Sequence, residues 1–340
     1  MHAVIKSVEY HLPESVLTNA QLTELNAKWT AAEIEAKTGI VERHVSATGE
    51  LASDLAVTAI RKTFDGGICR PHDVDFLLFC TQSPDYLLPT TACLVQERLG
   101  LPKHCAALDF NLGCSGFVYG LGLAKGLIET GQSRCLLLVT ADTYTKYIHA
   151  EDLNVRTLFG DAAAATLIIA DDGISDDLGP SIGPFVYGTD GRGARNLIVH
   201  NSGLRPAVCA DEGEMSDSDR PCHFRLFMDG PEIFRFTIEA VPPMVIELLD
   251  RSNLALADVQ LFVFHQANKF MLDHLRTKMK IPREKFYIAM RHCGNTVSAS
   301  IPIALKHAWQ EGRLQPGDRV VLVGFGVGYS WAAALVRWAI

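Results

Sequence analysis

An α/β fold built from two copies of one unit is what this sequence predicts, and three pairs of matching segments predict it. Asp73-Val74 opens the apolar run Phe76-Leu77-Leu78-Phe79 that ends at Cys80, and Asp258-Val259 opens Leu261-Phe262-Val263-Phe264 that ends at His265, an offset of 185. Gly113-Cys114 leads into a helical segment carrying Ala124-Lys125 that closes near Gly131, and Gly294-Asn295 leads into one carrying Leu305-Lys306 that closes near Gly312, an offset of 181. Cys135-Leu136-Leu137-Leu138-Val139 and Arg319-Val320-Val321-Leu322-Val323 follow at an offset of 184. Three motifs in one order at nearly constant spacing define a repeat. Short apolar runs directly after helix stops read as buried strands, so each copy alternates strands with helices around a sheet. A length of 340 residues suits two such units. The first is predicted over 1–172 and the second over 173–340.

The composition narrows the function classes. Hydrophobic residues make up 48% and charged residues 21%, ordinary globular values that set aside disorder, collagen-like repeats and coiled coil. The 31 basic against 39 acidic residues leave a formal charge of −8, which repels nucleic acid and anionic membranes. No run reaches membrane-spanning length, and the first residues lack the pattern of a signal peptide, so a cytoplasmic protein is expected. Nine cysteines, without Cys-x-x-Cys or His-x-x-x-His spacing, suggest neither a disulfide framework nor a metal site. Most of them should be small buried hydrophobes.

The repeat also places chemistry, because sites in open α/β layers gather beyond strand ends where helices begin. Cys114 lies in Asn111-Leu112-Gly113-Cys114-Ser115-Gly116-Phe117, between a predicted strand over Ala106-Ala107-Leu108-Asp109-Phe110 and a helix running to about Glu129. A thiol at a helix N-terminus is expected to have a lowered pKa and thiolate character, and Gly113 and Gly116 are expected to let a substrate approach. A buried structural cysteine fits the position equally. His265 ends an apolar strand before Gln266-Ala267-Asn268; it could donate a hydrogen bond or accept a proton, although a structural histidine also fits. Asn295, in His292-Cys293-Gly294-Asn295-Thr296, reads by itself as the N-cap of the helix through Ile301 and Ala304. Its place matching Cys114 in the other copy is what draws attention to it.

Gly324-Phe325-Gly326-Val327-Gly328 is not a dinucleotide loop, since only twelve residues remain after it. Its glycines could instead aim backbone N–H groups at an oxyanion, worth about 3 kcal/mol per donor, or simply turn the chain before a closing strand. From Lys269 to Lys285 six basic residues face two acidic ones, a local +4 suited to a phosphorylated cofactor, an acidic protein or an ordinary solvated helix face. The acidic stretch Ala210-Asp211-Glu212-Gly213-Glu214-Met215-Ser216-Asp217-Ser218-Asp219 reads as a mobile loop.

Together, Gly113-Cys114-Ser115-Gly116-Phe117, His265-Gln266-Ala267-Asn268, Gly294-Asn295-Thr296 and Gly324-Phe325-Gly326-Val327-Gly328, in this order over the whole chain, resemble β-ketoacyl-acyl-carrier-protein synthase III of the thiolase-fold condensing enzymes. Thr38-Gly39-Ile40, Glu42-Arg43-His44 and Phe159-Gly160-Asp161 resemble further landmarks of that family. The resemblance implies a five-layered αβαβα fold, a cytoplasmic homodimer and a Cys-His-Asn site. It implies that Cys114 attacks an acyl thioester and holds the acyl group. His265 and Asn295 would then hydrogen-bond the thioester carbonyl of a malonyl group on acyl carrier protein, stabilising the enolate left by decarboxylation. The backbone N–H groups of Cys114 and Val327 would hold the tetrahedral oxyanion, and Phe325 would line the carboxylate pocket and exclude water. No tightly bound cofactor is implied; the phosphopantetheine of coenzyme A or acyl carrier protein arrives as substrate carrier.

Departures from the family pattern bear on the donor. Glu33 stands where a Trp that stacks on adenine is expected, and Lys37 stands for an Arg. Leu153 replaces another Arg, although Arg156 is near, and Phe270, beside Lys269 and two residues after Asn268, replaces a third. A carboxylate cannot stack and repels phosphates, which argues for a carrier-protein donor over coenzyme A. Asn268, Lys269, Lys37 and Arg156 remain the candidates for substrate or carrier binding. Leu88, in Tyr86-Leu87-Leu88-Pro89, stands where a Phe often limits the primer pocket across the dimer, so a longer or branched acyl group is expected to fit.

Other functions compete. A thiolase needs a second cysteine in the last glycine loop, where Phe325-Gly326-Val327 supplies none, and a chalcone synthase relative usually has Pro-Gly-Gly after its histidine. An acyltransferase forming an ester or amide in secondary metabolism could use the same three residues without decarboxylation. A cysteine hydrolase and a non-catalytic carrier-binding subunit are the alternatives from other classes.

Overall fold

The computed structural model describes residues 1–25, 29–173, 181–200, 202–204 and 225–340. The acidic stretch at 210–219 lies outside them. The strands of the first part of the chain are β1 (His2–His11), β2 (Val16–Thr18), β3 (Glu42–His44), β4 (Phe76–Cys80), β5 (Ala106–Phe110), β6 (Cys135–Asp142) and β7 (Ala162–Asp171). Its helices are α1 (Asn19–Leu25), α2 (Ala31–Thr38), α3 (Ala52–Asp65), α4 (Thr91–Arg98), α5 (Gly116–Glu129) and the short α6 (Leu153–Arg156). The rest contributes β8 (Ile182–Thr189), β9 (Leu197–Val199), β10 (Leu226–Met228), β11 (Leu261–Phe264), β12 (Phe286–Tyr287), β13 (Arg319–Gly326) and β14 (Ser330–Arg337), with α7 (Gly230–Arg251), α8 (Lys269–Lys278) and α9 (Ser300–Gln310).

Two five-stranded sheets have one topology. The first runs β1-β7-β6-β4-β5 and the second, read from its matching edge, β8-β14-β13-β11-β12. In each, the first two neighbouring pairs are antiparallel and the last two parallel. The duplication read from spacing is therefore present in strand order and strand direction. Gly131 and Gly312, the two helix stops, follow α5 and α9 with φ of 76° and 70°, a left-handed conformation that glycine adopts at no steric cost.

Strand alternation divides the core into slabs. Leu77 and Phe79 of β4 face one way, with α3 and α4 through Leu55, Ile60, Ala92 and Val95. Phe76 and Leu78 face the other way, into a central slab shared with Phe117 and Leu121 of α5, Ile301 and Leu305 of α9, and Leu261 and Val263 of β11. Phe262 and Phe264 then point outward to Val245 and Leu248 of α7 and Leu272 and Leu275 of α8. Because helices cover both faces of both sheets, the strands are apolar throughout rather than alternating. The resulting order is helices, sheet, helices, sheet, helices: five layers.

Candidate active site

Cys114 sits in the turn between β5 and α5, closed by the Gly116 N–H donating to the Gly113 carbonyl at 2.8 Å. The end of β13 lies directly on it. A Cβ added at Gly326 would come within 2.9 Å of the Cys114 Cβ and Sγ, and one at Gly324 within 2.8 Å of the Cys114 carbonyl oxygen. Ser115 and Ser330 join their hydroxyls across the same contact between the two copies. Gly113 and Gly116 serve the protein's own packing rather than the expected substrate approach. Side chains there would strike Gln82 Oε1 at 2.5 Å and Cys80 Sγ at 2.3 Å.

The thiol itself corrects an expectation. Burial, with the Asp142 carboxylate as the second cause, pushes Cys114 up to about 12, while the backbone N–H groups of Cys114 and Val327 act in the opposite direction. A helix N-terminus favours the thiolate, but desolvation wins in this enclosed position. Cys114 rests as a protonated thiol, and its sulfur faces the N–H groups of Cys114 and Val327 to which the family resemblance points.

His265 follows the last residue of β11 and is 2% exposed. Its Nδ1 lies 2.7 Å from Ser300 Oγ, which also accepts from the Gln266 N–H at 3.4 Å. Burial pushes the imidazole down to about 3, only partly opposed by the Val297 carbonyl, so the ring is neutral at ordinary pH. Phe325 meets it edge to face, with ring centroids 5.7 Å apart at 81°.

Asn295 is tied to the same place from the other side. Its backbone pairs with the Phe159 segment, donating to the Leu158 carbonyl at 2.8 Å and accepting from Gly160 N–H at 3.0 Å. Its Nδ2 donates to the Ala267 carbonyl at 3.4 Å, and Ala267 N–H donates back to the His265 carbonyl at 2.9 Å. The N-cap reading is corrected: α9 begins at Ser300 after Ala299, and Asn295 Oδ1 accepts from Val297 N–H at 3.0 Å in a local turn. Val297 has φ of +51°, a costly conformation for a β-branched residue. That twist aims its N–H at Asn295 and its carbonyl at His265.

Cys114, His265, Asn295, Phe325 and Val327 thus form one contiguous cluster drawn from both copies. Comparison with known proteins gives the family of the whole chain. Models described as 3-oxoacyl-[acyl-carrier-protein (ACP)] synthase III and its C terminal match residues 108–191 and 249–338. A β-ketoacyl-[acyl-carrier-protein] synthase III of Rhodospirillum centenum is 36% identical, over 99% of this chain and 99% of its own. The chain belongs to the 3-oxoacyl-acyl-carrier-protein synthase III family. A crystal structure of a 3-oxoacyl-(acyl-carrier-protein) synthase III superposes with a TM-score of 0.93 at 51% identity, covering 99% of this chain and 100% of that one. The 3-oxoacyl-(acyl-carrier protein) synthase of Burkholderia xenovorans LB400 gives a TM-score of 0.90 at 35% identity, over 100% of this chain and 95% of that chain. The protein is accordingly a condensing enzyme of the thiolase fold, a transferase by class.

The other family landmarks build the scaffold. Arg43 is fully buried and donates to the Leu17 carbonyl at 2.9 Å, Asn19 Oδ1 at 2.8 Å and the Thr157 carbonyl at 2.8 Å. Asp161 accepts from Ser46 N–H at 2.8 Å and Thr145 N–H at 2.9 Å. Near the Cys114 thiol, and missed by sequence reasoning, the buried Asp142 accepts from Gln82 N–H at 2.8 Å and from the Ser298 hydroxyl. The signal was there, since Asp142 ends a buried strand as His265 follows one. Ser300 had no such signal.

Among the candidates for substrate or carrier binding, Lys37, Lys269 and Asn268 are engaged by the protein's own groups. Glu33 caps α2, accepting from Thr30 N–H at 2.7 Å, and Lys37 holds its ammonium 4.6 Å from the Trp29 ring centroid. Lys269 pairs with Asp273, and its stem fills the space beside Gly39, bringing α8 against α2. Asn268 Oδ1 caps α8 by accepting from Met271 N–H at 2.8 Å. Lys278 and Lys285 spend their ammonium groups on the carbonyls of Ile238 and of Ala257 and Val259. Arg156 lines a cavity of about 230 Å³ with Leu17, Val45, Thr145, Ile148 and Phe159. Leu88 is 83% exposed in the single chain. Among the described residues no cluster of His, Cys, Asp or Glu is placed to hold a metal, and no helix is long and apolar enough to cross a membrane.

Proposed function

We propose that the protein condenses an acyl thioester with malonyl-acyl carrier protein, with loss of CO₂, through an acyl group held on Cys114, giving a β-ketoacyl thioester for fatty acid synthesis. The observation that carries this reading is a buried, neutral imidazole tied through Ala267 to the Asn295 carboxamide and packed on Phe325, in the strand end that lies on Cys114. With the Ser300 hydroxyl as donor to Nδ1, 2.7 Å away, the ring proton lies on Nε2, and in that tautomer His265 acts as a hydrogen-bond donor. Asn295 Nδ2 is the second donor, and the pair receives the negative charge that develops on the malonyl thioester oxygen as CO₂ departs. The enolate carbon then attacks the acyl-Cys114 carbonyl, whose oxyanion is held by the N–H groups of Cys114 and Val327. Phe325, packed on His265, keeps water from the reacting carbons.

The same observation counts against the acyltransferase reading. Transfer to an alcohol or amine makes no use of two hydrogen-bond donors set to receive charge on a thioester oxygen, which decarboxylation needs. Glu33, engaged in the α2 cap, leaves no stacking platform at its position, which supports a carrier-bound acyl donor. A homodimer in the cytoplasm belongs to the proposal. β5 is an edge strand with Leu108 39% exposed, and Leu87 and Leu88 lie in solvent at 77% and 83%, surface that a second copy would cover.

Intact-protein mass spectrometry tests the reading. Acyl thioesters on carrier protein should add one acyl mass, mapped to Cys114, and malonyl carrier protein should then remove it as a β-ketoacyl product. An adduct discharged only by alcohols or amines would favour the acyltransferase.

A further inference from the structure

Cys69 and Cys135 stand outside the site described above, at the opposite end of the first sheet. Cys69 follows the exit of α3, and Cys135 is the first residue of β6, whose last residue is Asp142. Cys135 and Asp142 are the two ends of this eight-residue strand, about 23 Å of extended chain apart. The two sulfurs are 3.7 Å apart, close enough to share a hydrogen bond although 66 residues separate them in the chain. Cys69 is buried, Cys135 is partly open to solvent, and Ile68 beside Cys69 is 55% exposed. Bond formation requires the sulfurs to close to about 2 Å. Cys69, set in a connection rather than in a helix or strand, is free of regular backbone pairing that would oppose this.

We propose that Cys69 and Cys135 are a dithiol that hydroperoxides oxidise to a reversible intrachain disulfide, sparing the nucleophile Cys114. The Cys69 sulfur attacks one peroxide oxygen, breaking the O–O bond; Cys69 becomes a sulfenic acid and the leaving hydroxide takes up a proton as water. The Cys135 sulfur then displaces the sulfenic oxygen, and its proton leaves with that oxygen as a second water. Two thiols lose two electrons and one peroxide gains them. The hydrogen bond from Cys135 draws the Cys69 thiol down from its ordinary value, whereas burial pushes Cys105 up to about 11 and Cys114 and Cys293 up to about 12.

The full-length protein is treated with stoichiometric hydrogen peroxide, quenched by alkylation and mapped as peptides. A Cys69–Cys135 linked peptide, two hydrogen masses lighter than the reduced pair, should form first. A thiol reductant should reverse it, Cys69→Ser should abolish it, and the oxidised wild-type protein should keep Cys114 open to acylation. Oxidation of Cys114 or the exposed Cys93 while Cys69 and Cys135 stay alkylatable would overturn the proposal. Conversion of Cys69 to a sulfinic acid beside a free Cys135 would do the same.

Discussion

Ser300 sets the state of His265, because its Oγ is 2.7 Å from Nδ1 and the ring is otherwise enclosed. Ser300→Ala should leave acylation of Cys114 near the wild-type rate while slowing the malonyl half-reaction by about 10²-fold, the usual loss for one misdirected donor; separate single-turnover assays of the two steps check this. Asp142 gives a second test. Burial raises it from an ordinary 3.8 to about 7, so the folded chain keeps the proton where the unfolded chain has lost it. Its stabilising share is complete below about pH 4 and disappears as pH rises through about 7. Asp142→Asn removes that dependence, so the Tm of wild type relative to the variant should fall steadily between those limits; a difference that grows with pH contradicts the assignment. His265 works in the other direction. With its pKa lowered from 6.5 to about 3, its share is present above 6.5 and declines as pH falls. Cys114, His265 and Asn295 were legible as candidates because each stands at a matching turn of the repeat. Ser298 meets Asp142 across 156 residues and forms no pattern with its own neighbours in the chain. The direction of the thiol shift was not legible either, since it depends on how completely the two copies close over the sulfur.

The turns that present these residues depend on missing side chains. Gly294 has φ of +73°, and an added Cβ would lie 2.9 Å from the Leu158 carbonyl oxygen. Gly294→Ala should therefore destabilise the protein by about 1–3 kcal/mol, measured by denaturant unfolding, and lower the condensation rate by displacing Asn295. Gly326→Ala acts on Cys114 instead, with an expected loss of Cys114 acylation and a lowered Tm, because the clash falls on the buried Cys114 Cβ and Sγ. The strands of the repeat could be read because burial on both faces leaves continuous apolar runs. The short ribbons β2/β3 and β9/β10 could not, since they are held by pairing with distant segments. The helix α7 hides for a different reason: Pro242 and Pro243 lie inside it, where local propensity forbids a helix, and packing of Val241, Met244 and Val245 against the second sheet holds it together.

At the scale of the molecule, duplication builds the site: one copy supplies the thiol, the other the imidazole, carboxamide and glycine turn. Spacing revealed the duplication but not the contact between copies, which depends on Gly324 and Gly326 lying on Cys114. The donor preference also belongs to this scale, because it reflects the surface around α2 and α8 and not the reacting groups. Carrier-bound acyl groups should acylate Cys114 faster than the same groups on coenzyme A, and equal rates would remove the significance of Glu33 and Leu153. The division of labour is tested most directly by offering a carrier-bound acyl donor, then malonyl carrier protein, to His265→Ala and Asn295→Ala and following the acyl mass on Cys114. Both variants should load the acyl group and then retain it, forming β-ketoacyl product at least about 10²-fold more slowly than wild type. Discharge of the acyl group into that product at the wild-type rate would contradict the account.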